Sequence, residues 1–182
     1  MKEIETKRLT LRPIDPERDS GFVLRMLNEP DFIANVADRG VRTEDAAKDY
    51  IREKLLPGHE RYGVGYCVVE LKQSGEAVGS CGLMKRDTLD DFDIGYSTFI
   101  RYAGNGYAFE AASAMMEYAR VELGLKRIVG FTSPTNAKSA HLLEKLGLRF
   151  ERMVKVPGFE IEARLFAWEA GSEAAKSRGS RK

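Results

Sequence analysis

The chain of 182 residues has little of what marks several protein classes. Its only cysteines are Cys67 and Cys81, with no third ligand following at zinc spacing. That excludes a disulfide-built secreted module and argues against a metal site. His59 and His141 are the only histidines, and each stands alone, so both read as structural or surface residues. Charge of one sign is also missing, with 29 Lys+Arg against 28 Asp+Glu. The broad basic surface of a protein that wraps nucleic acid or an anionic membrane is therefore not expected. No apolar run approaches the roughly 18 residues of a membrane span. The opening "MKEIETKRLTLR" lacks the apolar stretch of a signal peptide. These absences predict a cytoplasmic protein, bound neither to nucleic acid nor to membrane.

What is present suits one globular domain with a real core: 43% hydrophobic and 31% charged residues. The domain is expected over residues 1–169, followed by a disordered basic tail over 170–182, "AGSEAAKSRGSRK". "KRLTLRPI" alternates apolar and polar residues and reads as a strand. In "DPERDSGFVLRMLN", Asp15 caps a helix that Pro16 opens. "TEDAAKDYIREKLL" is a second helix, capped by Thr43 and stopping before Pro57-Gly58. "GVGYCVVELK" and "EAVGSCGLMK" read as a hairpin about Ser74-Gly75, which places Cys67 and Cys81 opposite each other as buried thiols. "DFDIGYSTFI" is the next strand, and a helix follows it to Gly124. The strand "RIVGFTS", the helix "NAKSAHLLEKLG" and two closing strands about Pro157-Gly158 complete the order. Hairpins mixed with crossovers give an α+β protein with a mixed sheet.

The most informative stretch is "RYAGNGYAFEAASAMMEYAR", residues 101–120, with Gly104 and Gly106 at the mouth of a long helix. Glycine suits helix interiors poorly. At a helix start it leaves the unpaired backbone N–H groups and the positive dipole end open to an anion such as phosphate. A plain strand-to-helix turn would show the same pair. A dinucleotide fingerprint fails, because Phe109 stands where a third small residue is needed, and Gly-Lys-Ser/Thr of a phosphate loop is absent.

"RYAGNG" resembles the Arg/Gln-x-x-Gly-x-Gly/Ala signature of the GNAT acyltransferase superfamily. "TKRLTLRPI", "DIGYSTFI", "GYAFEAASAMMEYA" and "NAKSAHLLEKLGLRFE" resemble, in order, blocks of its Rim-type branch, which modifies N-termini of ribosomal proteins. The likeness spans about residues 6 to 168. It implies the GNAT fold, a twisted, mostly antiparallel sheet of about seven strands with about four helices. It also implies acetyl-CoA as co-substrate without a metal, an amine acceptor such as a protein N-terminus, and a monomer or homodimer.

Residue by residue, the resemblance implies that Gly104, Asn105, Gly106 and Tyr107 hold the pyrophosphate, with Arg101 adding a cation or holding the loop. Ser97, Thr98 and Phe99 would offer backbone to the pantetheine arm and the thioester oxygen. Asn136 would bond the arm, and Ser139 would protonate the leaving thiolate; a helix cap and a first-turn residue are the plainer readings of these two. Many relatives carry a Tyr acid at the position of Leu143, so that route is closed here. Candidate bases are Asp93, Glu160 and Glu162, with Asp91 weaker, each readable as an ordinary solvated carboxylate. Reaching the neutral amine at pH 7 costs about 1 kcal/mol for an α-amine and about 4.6 kcal/mol for lysine. A site without a strong base therefore suits an α-amine. A small-molecule acceptor (polyamine, amino acid or aminoglycoside) and a non-catalytic CoA-binding module are the alternatives.

Overall fold

The computed structural model of the chain describes residues 1–86, 89–156 and 162–171. Eight strands form one sheet in the order β1-β2-β3-β4-β5-β6-β8-β7. They are β1 (Ile4–Glu5), β2 (Leu9–Pro13), β3 (Tyr66–Leu71), β4 (Ala77–Lys85), β5 (Phe92–Thr98), β6 (Arg127–Thr132), β7 (Arg149–Val154) and β8 (Ala163–Glu169). Against the seven expected, the added strand is β1, two residues paired with Leu11 and Thr10 of β2. All neighbours are antiparallel except β5 and β6. The helices are α1 (Pro16–Leu27), α2 (Pro30–Asn35), α3 (Glu44–Tyr50), α4 (Leu56–Tyr62), α5 (Tyr107–Val121) and α6 (Ala137–Lys145).

Local chemistry sets most of these limits. Asp15 accepts hydrogen bonds from the N–H groups of Glu17 and Arg18 and so caps α1, and Thr43 accepts from Ala46 N–H to cap α3. The stop expected before Pro57-Gly58 does not occur. A π-helical turn, Ile51–Leu55, joins α3 to α4, and Leu56 N–H donates to Ile51 O across it. Pro57 then falls in the first turn of α4, directly after the π-helical turn. The helix α2, which also opens with a proline, was not foreseen. The tail beyond Gly171 and the turn about Pro157-Gly158 lie outside the described residues.

Alternation along the strands feeds two cores. Cys67 and Val69 point to the cluster under α5 and α6, where Met115, Leu143 and Phe166 are fully or almost fully buried. Val68, between them, points to the other face, under α1 and α3. Cys67 and Cys81 are register partners and free thiols, as expected, and burial pushes the Cys67 thiol up to about 12.

The helix α1 is fixed to the sheet by charge. Arg12 of β2 donates to both carboxylate oxygens of Asp19 at 2.7 Å, and its Nε donates to Glu70 at 2.9 Å. Arg12 and Asp19 are 5% and 2% exposed, so neither charge has water to fall back on. The pair holds α1 where its apolar residues form one wall of the site. Asp19→Ala should lower the unfolding free energy by about 3 kcal/mol, the low end for breaking a buried pair, because it leaves the buried guanidinium with Glu70 as its one remaining carboxylate partner. Urea titration checks this, and a loss under about 1 kcal/mol, the level of an exposed pair, would contradict it.

Candidate active site

Two facing strands part company to make the site. β5 and β6 run parallel for just two register pairs, Phe92↔Ile128 and Asp93↔Val129. Beyond Asp93 no further pair joins them, while β5 stays paired to β4 as far as Thr98. Leu143 of α6 packs into the fork. A Cβ added at Gly130 would come within 2.6 Å of its Cδ2, so glycine is needed there for helix and strand to meet.

The ladder's phase decides which backbone groups face the fork. Phe99 N–H donates to Val78 O at 3.1 Å. Antiparallel pairing alternates, so Ser97 and Gly95 also direct their N–H and C=O groups to β4. In agreement, a Cβ on Gly79 of β4 would meet Ser97 O at 2.2 Å. The N–H and C=O of Tyr96 and Thr98 therefore turn to the open side. Of the three backbone positions expected to serve the cofactor, only Thr98 has this orientation. Phe99 is 3% exposed, packs edge-on against Phe22 and contributes no cleft surface.

The fork opens into a cavity of about 1240 Å³. At one end stands the start of α5. Gly104 and Gly106 have φ of 81° and 79°, a left-handed conformation that favours glycine, and Gly106 is the N-cap with no side chain satisfying the first turn. Both glycines, with Tyr107 and Ala108, line the cavity. A Cβ on Gly104 would meet nothing within 4 Å, so its side is open. Arg101 and Asn105 are exposed and lie outside the cavity wall. Arg101 pairs with Glu76 at 3.1 Å and stacks on Tyr102, and Asn105 donates to Tyr102 O at 3.1 Å; both brace the loop.

One cation at this end had no signal in the sequence reading. Arg8 stacks on Tyr107, with 4.6 Å to the ring centroid, and would lie 3.5 Å from a Cβ on Gly106. Its Nε is held by Glu110 at 2.7 Å. Burial opposes ionisation of Glu110, but hydrogen bonds from Thr6 and Arg8 outweigh it and hold the carboxyl below its usual range.

At the fork's base, Asp93 is 2% exposed and accepts from Arg86 Nε at 2.9 Å. Burial pushes its carboxyl up to about 6 against the pull of Arg86. Arg86 also lies over the Phe131 ring, at 4.8 Å from its centroid. Tyr66 shares the cavity wall, and Gly95 makes room for it, since a Cβ there would meet the Tyr66 hydroxyl at 2.9 Å. Asp91 is instead taken up by Arg127 at 2.8 Å, and Glu162 is exposed. Glu160 lies outside the described residues.

On the other lip, Asn136 caps α6, its Oδ1 accepting from Ser139 N–H at 3.0 Å, and both residues line the cavity. The plainer reading of Asn136 as a cap is thus met, and its Nδ2 makes no hydrogen bond among the described residues. Ser139 Oγ lies 3.2 Å from the Tyr96 hydroxyl, which arrives from β5. Among the described residues no group of three or more His, Cys, Asp or Glu is placed to hold a metal, and no helix is long and apolar enough to cross a membrane.

A fork between parallel strands, an uncapped glycine-bounded helix start at one end and a buried carboxylate at the other are the features expected from the resemblance to acyl-CoA-dependent transferases. Comparison with known proteins agrees. Residues 8–149 match the acetyltransferase (GNAT) domain family, and the chain belongs to that family, an acetyl-CoA-using N-acetyltransferase. It is 28% identical over 152 residues to the N-acetyltransferase YnaD of Bacillus subtilis, covering 84% of this chain and 85% of that protein. Its fold is similar to that of an acetyltransferase from Agrobacterium tumefaciens, with a TM-score of 0.77 and 24% identity over 93% of this chain and 95% of that one. It is also similar in fold to RimL, a ribosomal L7/L12 alpha-N-protein acetyltransferase in complex with coenzyme A, with a TM-score of 0.78, 14% identity and coverage of 92% and 98%.

The helix start generates a test that separates ligand space from backbone strain. Gly75 has φ of 71° in the β3–β4 turn and, like Gly104, open space at its Cβ. Gly104→Val and Gly75→Val should both cost roughly 1–3 kcal/mol of stability. Only Gly104→Val should weaken CoA binding, by tenfold or more in calorimetry. Equal CoA affinity in the two folded variants would remove the α5 start from the cofactor site.

Proposed function

We propose that the protein transfers acetyl from acetyl-CoA to the α-amine of a protein or peptide, with Asp93 as the general base. The pyrophosphate rests on the N–H groups at the start of α5, beside Arg8. The pantetheine arm lies in the fork as an added strand, bonded to the backbone of Tyr96 and Thr98 and to Asn136. The amine attacks the thioester carbon and gives its proton to Asp93. The oxyanion is stabilised by a backbone N–H of the fork, and the C–S bond then breaks, with Ser139 supplying the proton to sulfur. The fold shared with RimL supports a protein N-terminus as acceptor.

The observation that carries this reading is Asp93, buried where the strands part and held near pH 6. A base of that strength is ionised at neutral pH, yet it falls well short of a lysine ε-amine at roughly 10.4. An α-amine at roughly 7.7–8.0 is the closer match. The same shift has a stability consequence. The fold binds this proton more tightly than the unfolded chain, whose carboxyl titrates near 3.8. Asp93 therefore favours the fold below that value, and the benefit is lost as pH rises through about 6.

Two results are expected. First, log kcat/KM for a peptide with a free α-amine should rise with slope two below pH about 6, slope one up to about 8, and level off above. Asp93→Asn should remove the lower break and cut kcat/KM at pH 7 by roughly 10²–10⁴-fold. A wild-type profile with one break near 8 would place the base elsewhere. Second, the free-amine peptide without lysine should be acetylated faster than the same peptide N-blocked and carrying one lysine, read by mass spectrometry. The reverse order would overturn the α-amine assignment, and turnover of neither would favour a small amine acceptor or a non-catalytic CoA binder.

A further inference from the structure

With Leu143 at the family's Tyr position, Ser139 stands without the phenol that relatives bring along α6. The structure brings a different one from across the fork. Tyr96, on β5, places its hydroxyl 3.0 Å from Ser139 O and 3.2 Å from Ser139 Oγ. The two residues lie 43 positions apart, Tyr96 on β5 and Ser139 on α6, the helix that follows β6. Tyr96 and Ser139 both line the cavity.

We propose that Tyr96 is the positioning residue for the leaving-group proton: its phenol, anchored on Ser139 O, holds the Ser139 hydroxyl at the cavity wall where the thiolate departs. This rests on the reading of Ser139 as proton donor. A phenol has one proton to donate, and a hydroxyl has one proton and two lone pairs. Burial pushes the Tyr96 pKa up despite its bond to Ser139, so the phenol stays protonated and acts as donor. Its proton goes to Ser139 O at 3.0 Å, which can only accept. That leaves the phenol oxygen's lone pairs free for the Ser139 hydroxyl at 3.2 Å, a contact that either group can donate. The Ser139 Oγ is thus held at the cavity wall beside a fixed partner, from which its proton can turn to the departing sulfur.

The step balances. As the C–S bond of the tetrahedral intermediate breaks, its electron pair goes to sulfur, and the Ser139 Oγ proton follows. Solvent water restores the Ser139 proton, and Asp93 returns to solvent the proton taken from the amine. In sum, one proton moves from the amine to the CoA thiol. Tyr96 keeps its own proton throughout.

The test compares wild type, Tyr96→Phe, Ser139→Ala and the double variant, each checked for fold by circular dichroism. Acetyl-CoA and para-nitrophenyl thioacetate, whose acidic thiol departs without a proton, serve as donors. With acetyl-CoA, Ser139→Ala should lower kcat by roughly 10²–10⁴-fold. Tyr96→Phe should lower it by about tenfold, the size of one hydrogen bond, with KM for acetyl-CoA unchanged. The double variant should match Ser139→Ala alone, since Tyr96 acts only through it. With the nitrophenyl donor, the Tyr96→Phe deficit in kcat/KM should vanish. A deficit equal for both donors would mean that the phenol merely holds the fold together and would overturn the proposal, as would additive losses in the double variant. Full activity in Tyr96→Phe alongside an impaired Ser139→Ala would also overturn it, leaving Ser139 as donor. Full activity in Ser139→Ala would remove the reading on which the proposal rests.

Discussion

The parallel contact between β5 and β6 is two residue pairs long, and the site exists because it is no longer. A sheet that loses pairing in its middle exposes backbone groups that elsewhere are bonded, which is costly unless water or a ligand satisfies them. This chain maintains the opening from both sides. β4 holds β5 straight through Thr98, and β8 holds β6 through Thr132, so neither strand can bend back to close the gap. Leu143, seated against Gly130, fills the crotch with hydrocarbon rather than with water.

The other features of the site follow from that opening. Asp93 belongs to the last joined pair, so its side chain stands where the protein is still closely packed, and burial raises its pKa. The start of α5 and the cap of α6 are reached by chain leaving the open ends of β5 and β6. Two helix N-termini thus flank one cavity, one without a side-chain cap and one capped by Asn136. Long-range ion pairs hold the surroundings in place. Arg12–Asp19 ties α1 to the sheet, and Arg8–Glu110 ties the first strands to the first turn of α5. Tyr96 reaches from β5 to α6, and the proposed proton path depends on its two contacts with Ser139.

What could be read from the sequence was local. Gly104 and Gly106 advertise a left-handed turn, Asn136 and Ser139 have cap spacing, and strand periodicity located β2 to β8 within a few residues. The phase of backbone pairing was not legible. Side-chain alternation says which face a residue uses, but which edge its N–H uses depends on the register with β4. Hence Ser97 and Phe99 were grouped with Thr98, although they face the opposite way. Partners distant in sequence were hidden for the same reason. Nothing near Tyr96 signals a serine 43 residues on, and nothing near Arg8 signals Glu110. Asp93 was legible as a carboxylate on a strand, but its burial and its bond to Arg86 were not. Arg101 shows a similar limit: its motif is legible, but its pairing with Glu76, 25 positions away, is not.

The central claim is that the fork between β5 and β6 takes up the acyl donor's arm as a strand. Amide hydrogen exchange, resolved by residue with and without saturating CoA, tests it most directly. The Tyr96 and Thr98 amides face the fork and should gain protection on binding, by tenfold or more. The Ser97 and Phe99 amides are bonded to β4 in both states and should change far less. A uniform change along β5, or protection confined to residues outside the fork, would contradict the account.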